Sequence, residues 1–201
     1  MKVDIQDVLF WMDAIRNSDD RYRTLESFWK GQVNSKIWLI ENLEKCVQTS
    51  NNNIVIHGGW NGVLASLLFN SSIDINKITS VDLDPSCEET SYTVNKRQEV
   101  QGRYEAVSAD MCCYVYDRAP NVVVNTSCEH ITPQQYKAWL ENVPGTSLVV
   151  VQSNNYYDLD EHINCHPSLE SFQESANLDV VYAGELVLPK YTRYMIIGFK
   201  P

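Results

Sequence analysis

Hydrophobic and polar positions follow a helical rhythm in the first quarter of the chain. Apolar side chains recur at roughly helical spacing over residues 3–15 and again over residues 35–46. A polar run at residues 17–20 separates these two stretches, and residues 50–53 form a second polar break. We therefore predict an N-terminal helical cap that occupies residues 1–50.

The pattern changes after residue 53, where short apolar runs alternate with helical stretches. Strands are predicted at residues 54–56, 78–81, 104–108, 121–125 and 147–152, and helices at residues 63–69, 86–97 and 133–141. This alternation indicates right-handed βαβ units, and therefore a mostly parallel sheet with helices on both faces.

The C-terminal part of the chain has a different pattern. Residues 180–188 and 194–199 form two further strands, and the link between them is too short for a helical crossover. These strands should pair antiparallel. The predicted fold class is therefore α/β: a doubly wound, seven-stranded, mostly parallel sheet over residues 51–201, with an antiparallel C-terminal strand pair.

Composition and charge limit the class of protein. The chain has 201 residues, of which 44% are hydrophobic and 21% charged, which is ordinary usage for a single globular domain. The formal net charge is −10, and an acidic surface repels phosphate backbones. Long nucleic acid is thus disfavoured as a partner. We interpret the basic pair Lys96-Arg97 as the solvated end of a helix.

The sequence also indicates where the protein resides. No window approaches the roughly 20 apolar residues that span a bilayer, and the first residues carry acids and no small-residue cleavage site. We expect a cytoplasmic protein that does not bind membranes. The six cysteines form no C-x-x-C pair, so we expect reduced thiols, with Cys112 and Cys113 in buried packing. The oligomeric state is left open.

Candidate ligand-binding residues follow the first two strands of the predicted sheet. Ligands of open α/β sheets bind at the carboxyl ends of the strands, and residues 57–62 form a glycine-containing turn there. A tight turn without a ligand explains these glycines equally well. Asp82 follows the second strand about twenty residues later, where a carboxylate can bind ribose hydroxyls.

Trp60 argues against a dinucleotide as the ligand. The pyrophosphate fingerprint needs a glycine at its middle position, and the bulky Trp60 stands there. A nucleoside ligand without a pyrophosphate is therefore favoured, and an NAD-type oxidoreductase is disfavoured.

From residue 54 to residue 201 the chain resembles the class I S-adenosylmethionine-dependent methyltransferases. The outer glycines of that family's G-x-G-x-G turn are present as Gly58 and Gly62, while Trp60 replaces the middle glycine and Ile56 replaces the usual acid. Asp82 matches the ribose-binding acid of the family.

Later motifs extend the resemblance. Asp110-Met111 matches the turn that contacts adenine, and residues 123–130 match the strand and turn that face the methyl group. Glu129-His130 resembles the Glu-His pair of small-molecule methyltransferases, and Pro144-Gly145 resembles the family's turn before the fifth strand.

The resemblance implies that S-adenosylmethionine is the cofactor. It places cofactor-binding residues at Gly58, Gly59, Trp60, Gly62, Asp82, Leu83, Asp110, Met111 and Asn125. Because Ile56 removes the usual acid, Lys36 of the helical cap is a further candidate, as an ammonium suits the methionine carboxylate. A surface lysine is the alternative.

Two residues are candidates for the chemistry itself. Methyl transfer needs a general base only where the acceptor carries a proton, and His130 suits that role. Glu129 would orient a substrate amine. In the alternative, Glu129 caps the next helix and His130 only packs. Arg193 could bind a carboxylate, although a surface arginine is the simpler interpretation.

A metal site is not predicted. His162, Cys165 and His166 have the donor types of a zinc site, but no second pair stands at a suitable spacing.

The leading hypothesis is S-adenosylmethionine-dependent methyl transfer to the nitrogen or oxygen of a small polar metabolite. The alternatives are an RNA or DNA methyltransferase, for which Cys128 is a weak candidate nucleophile, and a non-catalytic module that binds the cofactor or a partner.

Overall fold

A computed structural model describes residues 1–201 and contains seven strands and eight helices. The strands are β1 (Asn52–His57), β2 (Ile75–Asp82), β3 (Tyr104–Ser108), β4 (Val122–Asn125), β5 (Leu148–Asn154), β6 (Asp179–Val187) and β7 (Thr192–Phe199). The helices are α1 (Ile5–Asn17), α2 (Arg21–Glu26), α3 (Lys30–Cys46), α4 (Val63–Phe69), α5 (Cys87–Val94), α6 (Lys96–Val100), α7 (Pro133–Asn142) and α8 (Leu169–Ala176).

All seven strands form one sheet in the order β3-β2-β1-β4-β5-β7-β6. Strands β1 to β5 run parallel, whereas β7 is antiparallel to both of its neighbours. The predicted fold class is thereby confirmed. The strand order reverses at β1, which pairs with β2 on one side and β4 on the other, so a ligand is expected beyond this point.

The core consists of two apolar layers, one on each face of the sheet. Side chains on β4 alternate between them: Val122 and Val124 pack with α3 and α4, and Val123 packs with α7 and α8. All four residues of β4 are buried. A strand that is covered on both faces reads as a continuous apolar run, as expected for the centre of a parallel sheet.

Several helices differ from the prediction. Helix α2 lies between the two predicted N-terminal helices, α3 begins five residues before residue 35, and α8 was not predicted. The helix predicted over residues 86–97 is divided into α5 and α6 at Asn95. The amide of Asn95 donates hydrogen bonds to the carbonyl oxygens of Gly62 and Ser91, both at 3.0 Å, and a side chain bonded to the backbone in this way competes with helix continuation.

Helix α1 is held to the rest of the chain by a polar cluster around Asp7. This carboxylate is 4% exposed, accepts a hydrogen bond from Asn70 at 2.6 Å and pairs with Arg97 at 2.8 Å. Arg97 also pairs with Asp4 at 2.5 Å. The interpretation of Lys96-Arg97 as a solvated helix end is therefore wrong for Arg97, whose guanidinium joins α6 to α1.

The structure tests the expectations for the cysteines and for membrane-spanning helices. All six cysteines are free, but Cys112 is partly exposed and Cys113 is exposed, so the prediction of buried packing for this pair is wrong. Both belong to a 3₁₀ turn, Met111–Cys113, whose position after β3 faces solvent. None of the helices combines the length and apolar character that a bilayer span requires.

We expect Asp7→Asn to lower the free energy of unfolding by about 2 kcal/mol, because it leaves the partly buried Arg97 without its enclosed charge partner. Urea denaturation measures this change. The matched control is Asp4→Asn, which retains an N-cap residue on α1 and removes only a more exposed charge, for about 0.5 kcal/mol. Equal losses in the two variants would contradict this account.

Candidate cofactor and acceptor site

The turn after β1 passes close to the strands beside it. The N–H of Gly59 donates to the carbonyl of Val81 on β2 at 3.1 Å. Gly58 has φ +65°, and a Cβ at this position would lie 2.5 Å from Oγ of Ser127, which follows β4. Gly62 has φ +72° and is the N-cap of α4. A Cβ at Gly62 would overlap with Oγ of Ser91. Glycine is therefore required at both ends of the turn, by conformation and by space.

Trp60 takes the backbone conformation that a glycine would supply at the middle of the turn. Its φ is +48°, a left-handed conformation that costs a residue with a Cβ about 1–2 kcal/mol. The N–H of Trp60 donates to Oδ2 of Asp82 at 2.7 Å, and a charge-assisted bond of this kind helps to offset the strain. The side chain of Trp60 lines a small cleft together with Asp82 and Ser108.

Asp82 ends β2 and connects two backbone segments. Besides the bond from Trp60, its Oδ1 accepts a hydrogen bond from the N–H of Asp84 at 3.0 Å. A carboxylate offers about four lone-pair sites, and the Asp82 side chain remains partly exposed, so it can still accept bonds from ligand hydroxyls. The next side chain, Leu83, is 73% exposed at the same edge.

The turn after β3 contacts the end of β4. Asp110 accepts a hydrogen bond from the N–H of Cys112 at 2.8 Å and so caps the 3₁₀ turn. The Asn125 amide lies 3.4 Å from Sδ of Met111, and its Oδ1 accepts a bond from the N–H of Ser127 at 2.9 Å. The residues predicted after β3 and β4 are thus adjacent in the structure.

A buried ion pair joins the carboxyl ends of β4 and β5 to the start of β7. Nη1 of Arg193 lies 2.9 Å from Oε1 of Glu129, and the two side chains are 8% and 3% exposed. The same oxygen accepts a bond from Asn154 at 2.8 Å. Arg193 also donates to Oε1 of Gln152 at 3.1 Å and to the carbonyl of Thr126. These bonds fix Glu129 in one orientation.

The interpretation of Arg193 as a surface residue is therefore wrong, and the carboxylate that it binds belongs to the protein itself. Burial lowers the pKa of the Arg193 guanidinium, but the charge and hydrogen bond of Glu129, together with Tyr191 and Cys128, leave the pKa raised. The sequence shows only that Arg193 lies in the last hairpin and that Glu129 follows β4. Neither position predicts that the two side chains meet.

Glu129 does not cap the next helix. Thr132 is the N-cap of α7, and Thr132 and Gln135 form a capping box. One carboxylate oxygen of Glu129, Oε2, is buried and has no hydrogen-bond partner. Glu129 therefore presents an unused acceptor atom at the carboxyl ends of the strands.

Helix α3 of the N-terminal segment contacts the same cluster. Oγ of Ser35 donates to Oε1 of Gln152 at 3.2 Å, and Nζ of Lys36 donates to Oε1 of Gln32 at 3.0 Å. Burial and the charge of Arg193 lower the pKa of Lys36 to about 7. Lys36 is thus close enough to Arg193 for the two charges to interact.

The histidines of the sequence separate into two groups. His130 is exposed, and its ring lies 4.8 Å from the ring of His162, centroid to centroid. His166 instead contacts Ser171 and Ser175 of α8, at 3.4 and 3.3 Å. His162, Cys165 and His166 therefore do not converge as one donor set. The association of His162 with His130 was not predicted, because it depends on the path of the loop after β5.

Cys128 is unsuited to act as a nucleophile. It is 1% exposed, and its thiol lies 3.7 Å from the carbonyl oxygen of Asn125. Burial and the charge of Glu129 raise its pKa well above the ordinary value, so the thiol stays protonated. This disfavours the nucleic-acid methyltransferase mechanism for which Cys128 was a candidate.

Neither a protein-family model nor a curated protein matches the sequence. The structure is similar to the N-methyltransferase NodS from Bradyrhizobium japonicum WM9 in complex with S-adenosylhomocysteine, with a TM-score of 0.68 and 11% identity over 96% of this chain and 98% of that one. It is similar to magnesium protoporphyrin IX methyltransferase from Synechocystis PCC 6803 with bound S-adenosylmethionine, with a TM-score of 0.67 and 9% identity over 96% and 90% of the two chains.

The small RNA methyltransferase HEN1 is also similar, with a TM-score of 0.68 and 15% identity, but the match covers 83% of this chain and only 25% of that one. At these identities the likeness establishes the fold, and function rests on the site. The chain has the Rossmann-like fold of the class I S-adenosylmethionine-dependent methyltransferases, as its sequence resemblance implied.

We expect Lys36→Met to stabilise the protein most at pH 7 and below. Folding lowers the pKa of Lys36 from 10.5 to about 7. Between these two pH values the unfolded state binds more protons than the folded state, so the free energy of unfolding of the wild type rises with pH. The stability difference between Lys36→Met and the wild type should therefore shrink towards pH 10. Thermal unfolding across this range measures it.

The matched control is Lys45→Met, because Lys45 lies on the last turn of the same helix with its side chain exposed. Its stability difference from the wild type should not change with pH. A pH-independent difference for Lys36→Met would contradict the proposed burial of its ammonium group.

Proposed function

We propose that this protein transfers a methyl group from S-adenosylmethionine to the nitrogen or oxygen of a small polar acceptor. One observation carries the proposal: at the point where the strand order reverses, a glycine turn and Asp82 lie on one side and the buried Glu129–Arg193 pair lies on the other. A nucleoside cofactor and a polar acceptor fit these two halves, and the fold is that of methyltransferases.

In this proposal, the cofactor binds along the ends of β1, β2 and β3. The backbone of residues 58–62 approaches the cofactor closely, Asp82 and Leu83 contact the ribose, and Asp110 and Met111 contact the adenine. Asn125 lies near the methyl group. Lys36 pairs with the methionine carboxylate and so compensates for the acid that Ile56 replaces.

The reaction is an in-line displacement at the methyl carbon. A lone pair of the acceptor nitrogen or oxygen forms the new bond, the sulfur keeps the electron pair of the broken bond, and S-adenosylhomocysteine is released. Oε2 of Glu129 accepts a hydrogen bond from the acceptor and orients it, and the exposed His130 takes the acceptor proton where one must leave.

The similarity to NodS and to magnesium protoporphyrin IX methyltransferase supports a small-molecule acceptor. The similarity to a small RNA methyltransferase keeps RNA as the alternative acceptor, but the net charge of −10 opposes it. A module that binds the cofactor without catalysis is the other alternative, because Ile56 and Trp60 depart from the family's first motif.

We expect calorimetric titration to show micromolar binding of S-adenosylmethionine and S-adenosylhomocysteine, and no binding of NAD. Asp82→Ala should weaken cofactor binding at least tenfold, because it removes the carboxylate that accepts ribose hydroxyls and holds Trp60. The matched control is Asp84→Ala, whose carboxylate lines the same cleft but pairs with the partly exposed Arg23 at 2.6 Å and does not hold Trp60.

A folded protein that binds neither cofactor form would refute the proposal. Binding without any transfer of labelled methyl to a set of small amines and hydroxyl compounds, or to short RNA, would support the non-catalytic module. Transfer to RNA alone would favour the alternative acceptor.

A further inference from the structure

We propose that Glu129, His130 and His162 form a binding site for one divalent transition-metal ion on the acceptor side of the sheet. One carboxylate oxygen and one nitrogen of each ring all lie within 4.8 Å of one another. Glu129 and His130 belong to the turn after β4, and His162 lies in the loop after β5. Two neighbouring strand ends thus bring three metal-ligating side chains together.

The state of Glu129 is an independent indication of a cation. Oε1 is fully used by Arg193 and Asn154, whereas Oε2 is buried without any partner in a side chain that is 3% exposed. A buried carboxylate oxygen without a partner is energetically costly. A cation at Oε2 would remove this cost without disturbing the ion pair at Oε1.

His162 is oriented as metal-bound histidines usually are. Its Nδ1 lies 2.7 Å from the carbonyl oxygen of Tyr156. Since a carbonyl only accepts hydrogen bonds, Nδ1 donates this one, and in the neutral ring Nε2 presents its lone pair. A backbone carbonyl on the far nitrogen is a common outer contact of histidine ligands, and Arg193 and Asn154 fix Glu129 in the same way.

The distances require only a small closure of the three side chains. Bonds of about 2.0–2.2 Å to zinc place two ligand atoms of one tetrahedral ion roughly 3.4 Å apart. His130 is exposed and His162 is partly exposed, so their rings have room to rotate towards Glu129.

The donor set indicates the class of ion. Two imidazoles and one carboxylate suit Zn²⁺, Co²⁺ or Fe²⁺, whereas Mg²⁺ and Ca²⁺ prefer oxygen ligands throughout. Three protein ligands also leave coordination positions open for a further molecule. The charge of Arg193 beside Glu129 should make this site weaker than one without a cationic neighbour.

The consequence for catalysis rests on the proposed function, although the binding of the ion does not. A hydroxyl oxygen of the acceptor bound to the ion would release its proton to solvent more readily, and the resulting oxyanion would attack the methyl carbon. The site therefore narrows the acceptor class to a molecule with a metal-binding hydroxyl group. Oε2 of Glu129 and His130 then hold the ion, which replaces them as the orienting group and the base.

Titration of the full-length protein with Co²⁺, followed by visible absorption and calorimetry, tests the site. We expect saturable binding of one ion per chain, with competition by Zn²⁺ and little by Mg²⁺. His130→Ala and His162→Ala should each weaken binding at least tenfold. His166→Ala is the matched control, because His166 lies in the same loop but contacts α8, and it should leave binding unchanged.

A wild-type protein without saturable Co²⁺ binding would overturn the proposal. So would binding that both histidine variants retain, or an intense thiolate charge-transfer band that Cys113→Ser removes, since the exposed Cys113 would then be the ligand. The titration uses no cofactor, so it fails or succeeds independently of S-adenosylmethionine binding. Circular dichroism confirms that each variant is folded.

Discussion

The buried pair of Glu129 and Arg193 is the contact on which the carboxyl ends of β4 and β5 depend. It joins the ends of the consecutive strands β4 and β5 to β7, since Arg193 lies 64 residues after Glu129 and 41 after Gln152. Both charged side chains are almost inaccessible to water. Removing one partner from such a pair leaves an uncompensated charge that costs several kcal/mol. The geometry of Gln152 and Asn154 at the end of β5 follows from this pair, because their amides supply its remaining hydrogen bonds.

The two sides of the strand-order reversal are built on different principles. On the β2 side the backbone conformation defines the site, since Gly58, Gly62 and Trp60 adopt left-handed conformations that bring the turn close to Asp82. On the β5 side the site is defined by side chains, through charge pairing and burial. A fold that is shared by many methyltransferases can thus keep a backbone-defined half while its side-chain half changes with the acceptor.

Much of the fold could be predicted from the sequence, because apolar runs such as residues 122–124 alternate with helical stretches, which indicates a mostly parallel sheet. Helix α2 was missed because its six residues, Arg21–Glu26, are mostly polar. Within the site, the positions after each strand were predictable, but their partners were not. Arg193 and Glu129 are 64 residues apart in the sequence, and only tertiary packing decides that an arginine of a hairpin becomes buried.

Trp60 has a further consequence through its bond to Asp82. Because the N–H of the turn is already held by the carboxylate at the end of β2, the two loops that would surround a nucleoside are fixed before any ligand arrives. The loss of conformational entropy is then part of folding rather than of association, which is the thermodynamic meaning of preorganisation. Trp60 therefore gives a turn that is strained, yet already in position for a ligand.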